Sequence, residues 1–141
     1  MTLGLDQIFI RLILSVILAG LFGIERELRH KKAGLRTNIL VGLGSTLIMI
    51  VSLAFEMDSA RIAAGVVTGI GFIGAGMIIN DGQRGEVHGL TTAATIWIVS
   101  AIGLAVGIGY FSAAIAATLV GLVVLSLFGS KKVRDAVKLD D

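Results

Sequence analysis

The 141-residue sequence has no cysteine and no proline, and only 16% of its residues are charged. Without cysteine, disulfides and thiolate metal sites are excluded. Soluble domains typically carry about 25% charged residues, so the low charge content and the mean hydropathy of +0.94 indicate an integral membrane protein. The absence of proline is compatible with several straight helices. Because the formal net charge is only +2, the placement of the charges is more informative than their sum.

Long apolar runs predict an all-α integral membrane protein, a bundle of about five transmembrane helices. The stretch Leu90–Phe128 has no charge over 39 residues. A single helix of that length would measure ~58 Å, about twice the hydrocarbon core of a bilayer, so we expect a reversal at Gly107–Gly109. A re-entrant hairpin of the last two runs is the alternative. The predicted spans are 7–28, 37–55, 61–80, 91–106 and 110–128.

Basic residues are concentrated in two segments. Glu25–Arg36 contains five lysines and arginines and the tail 131–141 contains four, whereas the predicted outer loop Glu56–Arg61 contains one. By the positive-inside rule both basic segments face the cytoplasm. The sequence therefore predicts an N-out, C-in topology, with a transmembrane domain over 1–130 followed by a basic cytoplasmic tail.

The first apolar run contains one early charge, Arg11. Its side chain either snorkels to the near membrane interface or pairs inside the bundle. Ser15, Ala19 and Gly23 follow Arg11 at four-residue spacing, which predicts a small and polar helix face. The run lacks a basic n-region and a small-residue cleavage site, so we interpret it as a retained span rather than a signal peptide.

The stretch Gly65–Asn80 is the predicted centre of the bundle. It has five glycines and no charge. In water this composition makes a poor helix, but a bilayer forces a spanning segment to be helical, and glycine then allows close helix approach. Such contacts lie within one monomer or at a dimer face, and we expect a homo-oligomer, with a dimer favoured. The predicted packing glycines are Gly65, Gly69, Gly71, Gly74, Gly76, Gly103 and Gly107.

Polar side chains gather at the predicted cytoplasmic ends of the helices. The second and fourth helices begin there, and their free N–H groups favour anions. Glu25 and Asp81 are weak Mg²⁺ candidates, because Mg²⁺ often uses only one or two carboxylates. Alternatively, these carboxylates pair with neighbouring arginines and cap helices. The predicted cluster consists of Glu25, Arg26, Arg36, Thr37, Asn38, Asn80, Asp81, Thr91 and Thr92.

Catalytic and nucleotide-binding patterns are weak. Gly69–Gly74 matches G-x-G-x-x-G by letter, but a dinucleotide site needs a preceding strand and a later acidic residue. His30 and His88 lack metal-ligand spacing. We expect no enzyme activity, no nucleic-acid partner and no cofactor apart from Mg²⁺ as a candidate. The basic run Glu25–Arg36 also favours contact with anionic membrane lipids.

Three stretches together resemble the MgtC/SapB family of bacterial inner-membrane proteins: Gly23–Thr37 (GIERELRHKKAGLRT), Gly69–Gly76 (GIGFIGAG) and Gly89–Trp97 (GLTTAATIW). The resemblance implies five spans in the plasma membrane. Longer members carry a soluble C-terminal ACT-like domain, whereas this sequence resembles a short form that stops at Asp141. The matching positions of the first stretch are Glu25, Arg26, Glu27, Ala33, Gly34, Leu35, Arg36 and Thr37.

The resemblance also implies a role in adaptation to low magnesium or intracellular stress, since the better-known members are virulence factors. One member is associated with restraint of the F-type ATP synthase. We therefore expect a non-catalytic protein that regulates a membrane partner such as ATP synthase or a transporter. The alternative is a carrier of Mg²⁺, another ion or a small solute that uses the cytoplasmic polar cluster.

Overall fold

The computed structural model describes residues 3–55, 59–81 and 86–128. They form α1 (Leu5–Leu28), α2 (Leu35–Ser52), α3 (Ser59–Met77), β1 (Ile79–Asp81), β2 (Glu86–His88), α4 (Leu90–Ile108) and α5 (Phe111–Phe128). All five helices are long and apolar enough to cross a membrane, which confirms the predicted bundle at this level. The N-out, C-in orientation stays a prediction, and the basic tail 131–141 lies outside the described residues.

The central helix is α4, which packs against α1, α2, α3 and α5. Its side chains Ile96, Val99, Ile102 and Val106 are almost completely buried. By contrast, α3 packs mainly against α4 and α2, and only Ile70 and Gly74 of α3 are buried. The prediction that Gly65–Asn80 forms the centre of the bundle is therefore wrong, because most of its glycine surface meets no other helix among the described residues.

A tight seam joins α1, α2 and α4. The Cβ of a residue larger than glycine at position 103 would lie 2.5 Å from the Gly42 carbonyl oxygen, and at position 42 it would lie 2.6 Å from the Ala19 Cβ. Hydroxyl groups bridge the same helices: the Thr46 Oγ1 lies 2.8 Å from both the Ser15 Oγ and the Gly103 carbonyl oxygen. Close backbone approach and interhelical hydrogen bonds are the interactions that hold helices together in lipid.

The predicted packing glycines differ in their surroundings. Gly103 and Gly107 press against α2, and Gly74 makes an ordinary contact with Ala93 of α4. A packing role for the remaining four stays a prediction that requires a neighbour outside the described residues. These four glycines, at which an added Cβ would meet nothing within 4 Å, are Gly65, Gly69, Gly71 and Gly76.

The connection between α3 and α4 contains an antiparallel pair of strands, although the sequence indicated only a polar turn. Ile79 pairs with His88, and Asn80 pairs with Val87. Apolar β-branched residues in the two strands therefore flank a polar stretch of sequence, which is the pattern of a short hairpin. The turn predicted at Asp81-Gly82 falls largely outside the described residues. The end of the bundle that carries β1, β2 and the 29–34 loop is called the hairpin end below.

At the opposite end, α4 and α5 reverse direction at Gly109. Its φ of +95° is a left-handed conformation that favours glycine. Here the Arg11 Nη1 donates to the Gly107 carbonyl at 2.5 Å, so Arg11 has a partner within the bundle, while its snorkelling to the membrane interface stays a prediction. This carbonyl lies in the last turn of α4, a location where the helix dipole favours a cation.

We expect Gly103→Ala to destabilise the protein by about 1–3 kcal/mol, because overpacking separates α4 from α2. Gly69→Ala, which makes the same chemical change in open space, should cost far less. Thermal unfolding of both variants in detergent, followed by circular dichroism, measures the difference. Equal losses at the two positions would contradict the tight seam.

Candidate functional site

At the hairpin end, α1 ends in a well-defined C-terminal hydrogen-bonding motif. The His30 N–H donates to the Glu27 carbonyl at 3.0 Å and the Lys31 N–H donates to the Arg26 carbonyl at 2.9 Å. His30 itself has a φ of +53°, so these bonds form a Schellman motif with His30 at the left-handed position. The motif turns the chain sharply away from α1 and directs the 29–34 loop towards the start of α2.

The last turns of α1 carry an ion-pair cluster. Oε1 of Glu25 lies 2.5 Å from the Arg29 Nε, and Oε2 of Glu25 lies 3.6 Å from the Arg26 Nη1. Arg26 is only 4% exposed, and its Nη2 lies 3.5 Å from the Thr92 Oγ1 in the first turns of α4. A buried guanidinium needs such partners, since an unpaired buried charge is very costly. The cluster thereby joins α1 to α4.

A second set of contacts attaches the 29–34 loop to α2. Oε2 of Glu27 accepts a hydrogen bond from the Leu35 N–H at 2.8 Å, so Glu27 satisfies a free donor at the helix start. The completely buried Asn38 donates from its Nδ2 to the Ala33 carbonyl at 2.6 Å and to the Gly34 carbonyl at 2.9 Å. These bonds fix the geometry of the loop that precedes α2.

The structure brings together part of the predicted polar cluster. Glu25, Arg26 and Thr92 form one connected group, while Asn38 binds the adjoining loop. Thr91 and Asn80 are exposed, and the side chain of Asp81 lies outside what the structure describes. The remaining two residues, Arg36 and Thr37, lie on the wall of a groove between α2 and α3.

This groove, called the α2–α3 groove below, has a volume of about 700 Å³. Its lining residues recur every three or four positions on both helices, so the groove runs along the helix axes. Its walls are mainly apolar, and Arg36 is the one charged residue among them. The lining consists of Arg36, Thr37, Leu40, Val41, Gly44, Ser45 and Ile48 from α2, and Ile62, Gly65, Val66, Gly69, Ile70 and Ile73 from α3.

The metal-binding capacity of the cluster is small. Across the described residues, no group of three His, Asp or Glu side chains could hold a metal ion. The Glu25 carboxylate lies against two guanidinium groups, with which Mg²⁺ would have to compete. The donor set that the structure describes therefore fits Mg²⁺ poorly, and a magnesium role for Asp81 stays a prediction.

Two features of the site were not assigned from the sequence. Glu27 lies on α1 and caps the start of α2 across the 29–34 loop. Capping patterns in the sequence involve residues close together in the chain, so they do not indicate such a bond. Gly23 allows close contact between α1 and the start of α2, since a Cβ added there would lie 2.6 Å from the Leu35 Cα. The four-residue spacing of Arg11, Ser15, Ala19 and Gly23 indicated that face but not its partner.

Glu27→Ala is expected to destabilise the start of α2 by about 1 kcal/mol, the usual effect of losing an N-terminal cap. Glu27→Gln keeps an acceptor oxygen and should lose less. Hydrogen exchange read by mass spectrometry should show faster exchange at residues 35–38 in the alanine variant. The matched control is Lys31→Ala in the exposed loop, and unchanged exchange in Glu27→Ala would exclude the cap.

Comparison with known proteins assigns this architecture to a family. The MgtC family model matches residues 12–133. One similar curated protein is the Escherichia coli K12 protein named "Putative magnesium transporter YhiD", which is 47% identical over 86% of this chain. The MgtC protein of Salmonella typhimurium is 45% identical over 79% of this chain. The MgtC protein of Brucella abortus is 45% identical over 80% of this chain.

The chain spans 60% of the length of YhiD and 48% of the length of the two MgtC proteins. No solved structure matches it. The family model covers most of the sequence, from α1 through α5, and the five helices of the described residues are suited to crossing a membrane. This chain is a multi-pass membrane protein that belongs to the MgtC family.

Proposed function

We propose that the protein is a non-catalytic membrane protein of adaptation to magnesium limitation, and that it regulates another membrane protein by binding one of its helices in the α2–α3 groove. The groove is the observation that carries the proposal. We place the protein in the bacterial plasma membrane with its hairpin end in the cytoplasm, as the distribution of basic residues indicates.

The groove has the dimensions that a helix requires. On α2 its lining extends from Arg36 to Ile48, which corresponds to ~18 Å or about three helical turns. Three glycines of the lining, Gly44, Gly65 and Gly69, have open space where a Cβ would lie. Such positions let another helix backbone approach closely in lipid, where small residues dominate helix interfaces.

The charge in the groove indicates the chemistry of its occupant. Arg36 is exposed at the hairpin end of the groove, and it has no hydrogen-bond or ion-pair partner within the described part of the chain. A carboxylate near the interfacial end of the docked helix would complement this guanidinium. We therefore propose an apolar helix with small residues and one terminal acid, with a membrane subunit of ATP synthase or a transporter as candidates.

The ion-pair cluster supports regulation over transport. Arg26 contacts both Glu25 and Thr92, and the α2–α3 groove does not include these residues. A carrier site would require ligands that converge on a space for the solute. The paired charges instead stabilise the ends of α1 and α4, which leaves the apolar groove as the surface suited to recognition.

Blocking the groove should abolish function without unfolding the protein. In a strain that lacks the endogenous protein, we expect the double substitution Gly65→Leu and Gly69→Leu to abolish growth in low magnesium. The matched control is Gly71→Leu, which also enters open space but does not line the groove. Equal membrane levels of the variants, checked by immunoblot, isolate the effect on binding.

A photo-crosslinking amino acid at Val66 identifies the occupant. We expect it to capture a helix of a different integral membrane protein, with a yield about tenfold lower in Arg36→Glu, equivalent to about 1.4 kcal/mol of binding. Capture of a second copy of this chain would replace the regulatory proposal with a homodimer interface. Capture of lipid alone, together with normal growth of the double leucine variant, would reject both.

Transport is the second candidate function, because the related YhiD is named as a putative magnesium transporter. Purified protein in liposomes loaded with a Mg²⁺-sensitive dye distinguishes the two. The regulatory proposal predicts no flux above that of empty liposomes. Flux that Glu25→Ala abolishes and Glu27→Ala retains would favour the carrier instead.

A further inference from the structure

We propose that the end of the bundle opposite the hairpin end binds a lipid phosphate group in a pocket centred on Arg11. The pocket has a volume of about 340 Å³ and lies between the start of α1 and the α4–α5 turn. Its lining consists of Gln7, Ile10, Arg11, Ile108, Gly109 and Phe111. This inference is independent of the α2–α3 groove and of the regulatory proposal.

The charge of Arg11 is the first argument. No carboxylate of the described residues forms an ion pair with Arg11. Its Nη1 is bound to the Gly107 carbonyl, but its Nε is buried and has no hydrogen-bond partner in the described part of the chain. An ionised residue within a membrane span normally pairs with an opposite charge, and the described residues supply none to Arg11.

The depth of Arg11 in the membrane indicates that a lipid headgroup supplies the opposite charge. Positions 11 and 26 lie on α1 and are 15 residues apart, which corresponds to ~22 Å. With Arg26 near one interface, Arg11 lies within ~8 Å of the other boundary of a ~30 Å hydrocarbon core. Side chains of a helix lean towards its N-terminus, so this guanidinium points to the phosphate layer of the nearer leaflet.

The surroundings of Arg11 supply donors and room. Gln7 precedes Arg11 by one helical turn and also lines the pocket. Gly109 leaves space for the guanidinium, because a Cβ there would lie 3.3 Å from the Arg11 Nη2. Phe111 begins α5 in the same lining, where free N–H groups add a weaker preference for an anion. A phosphate oxygen matches this set of donors.

The test measures retained lipid by native mass spectrometry and the Tm of the full chain in detergent. Three probes are compared: phosphatidylglycerol, diacylglycerol with the same acyl chains, and inorganic phosphate. We expect phosphatidylglycerol to bind and raise the Tm, with about tenfold lower occupancy in Arg11→Gln because charge-assisted hydrogen bonds are lost. The matched control Arg61→Gln removes an exposed charge near the same end of the bundle.

A second variant keeps the test decisive if Arg11→Gln folds poorly. Gln7→Glu places a carboxylate one turn from Arg11, so it should displace the phosphate while raising the Tm of the lipid-free protein. Binding of inorganic phosphate that depends on Arg11 would support the phosphate site and assign its ligand to solution. Equal stabilisation by diacylglycerol, or unchanged phosphatidylglycerol occupancy in Gln7→Glu, would overturn the proposal.

Discussion

The close approach of α1, α2 and α4 is the constraint on which the rest of the structure depends. Gly42 and Gly103 bring two helix backbones together, and hydroxyl groups of Ser15 and Thr46 hydrogen-bond across the same seam. In lipid there is no hydrophobic force between apolar helices, so van der Waals contact and these bonds supply the attraction. The three helices form a core, and α3 and α5 are added to it with much of their apolar surface exposed.

The two ends of this core differ in their electrostatics. At the hairpin end, Glu25 pairs with Arg29 and Arg26, so opposite charges are balanced within the chain. At the other end Arg11 has a carbonyl partner but no carboxylate within the described residues. Between the ends, the α2–α3 groove exposes apolar and glycine surface. The proposed ligands follow this division: a helix along the groove and a phosphate at Arg11.

Particular residues show how far the site could be predicted. The spacing of Arg11, Ser15, Ala19 and Gly23 indicated a small and polar face of α1, and Ser15, Ala19 and Gly23 are indeed buried. The glycines of α3 gave an equally clear pattern, yet Gly65 and the others that lack neighbours have no partner helix among the described residues. Periodicity identifies a face that can pack, but it contains no information about the surface that meets it.

The sequence by itself determined the class of protein, the number of membrane helices and the family, because hydrophobic length and local motifs are properties of consecutive residues. Only the tertiary structure decided that α4 is central, that Glu27 caps α2 and that Arg11 binds the Gly107 carbonyl. The last of these bonds joins residues 96 positions apart in the chain. Such contacts depend on which helices pack together, and that choice is made by the fit of whole helix surfaces.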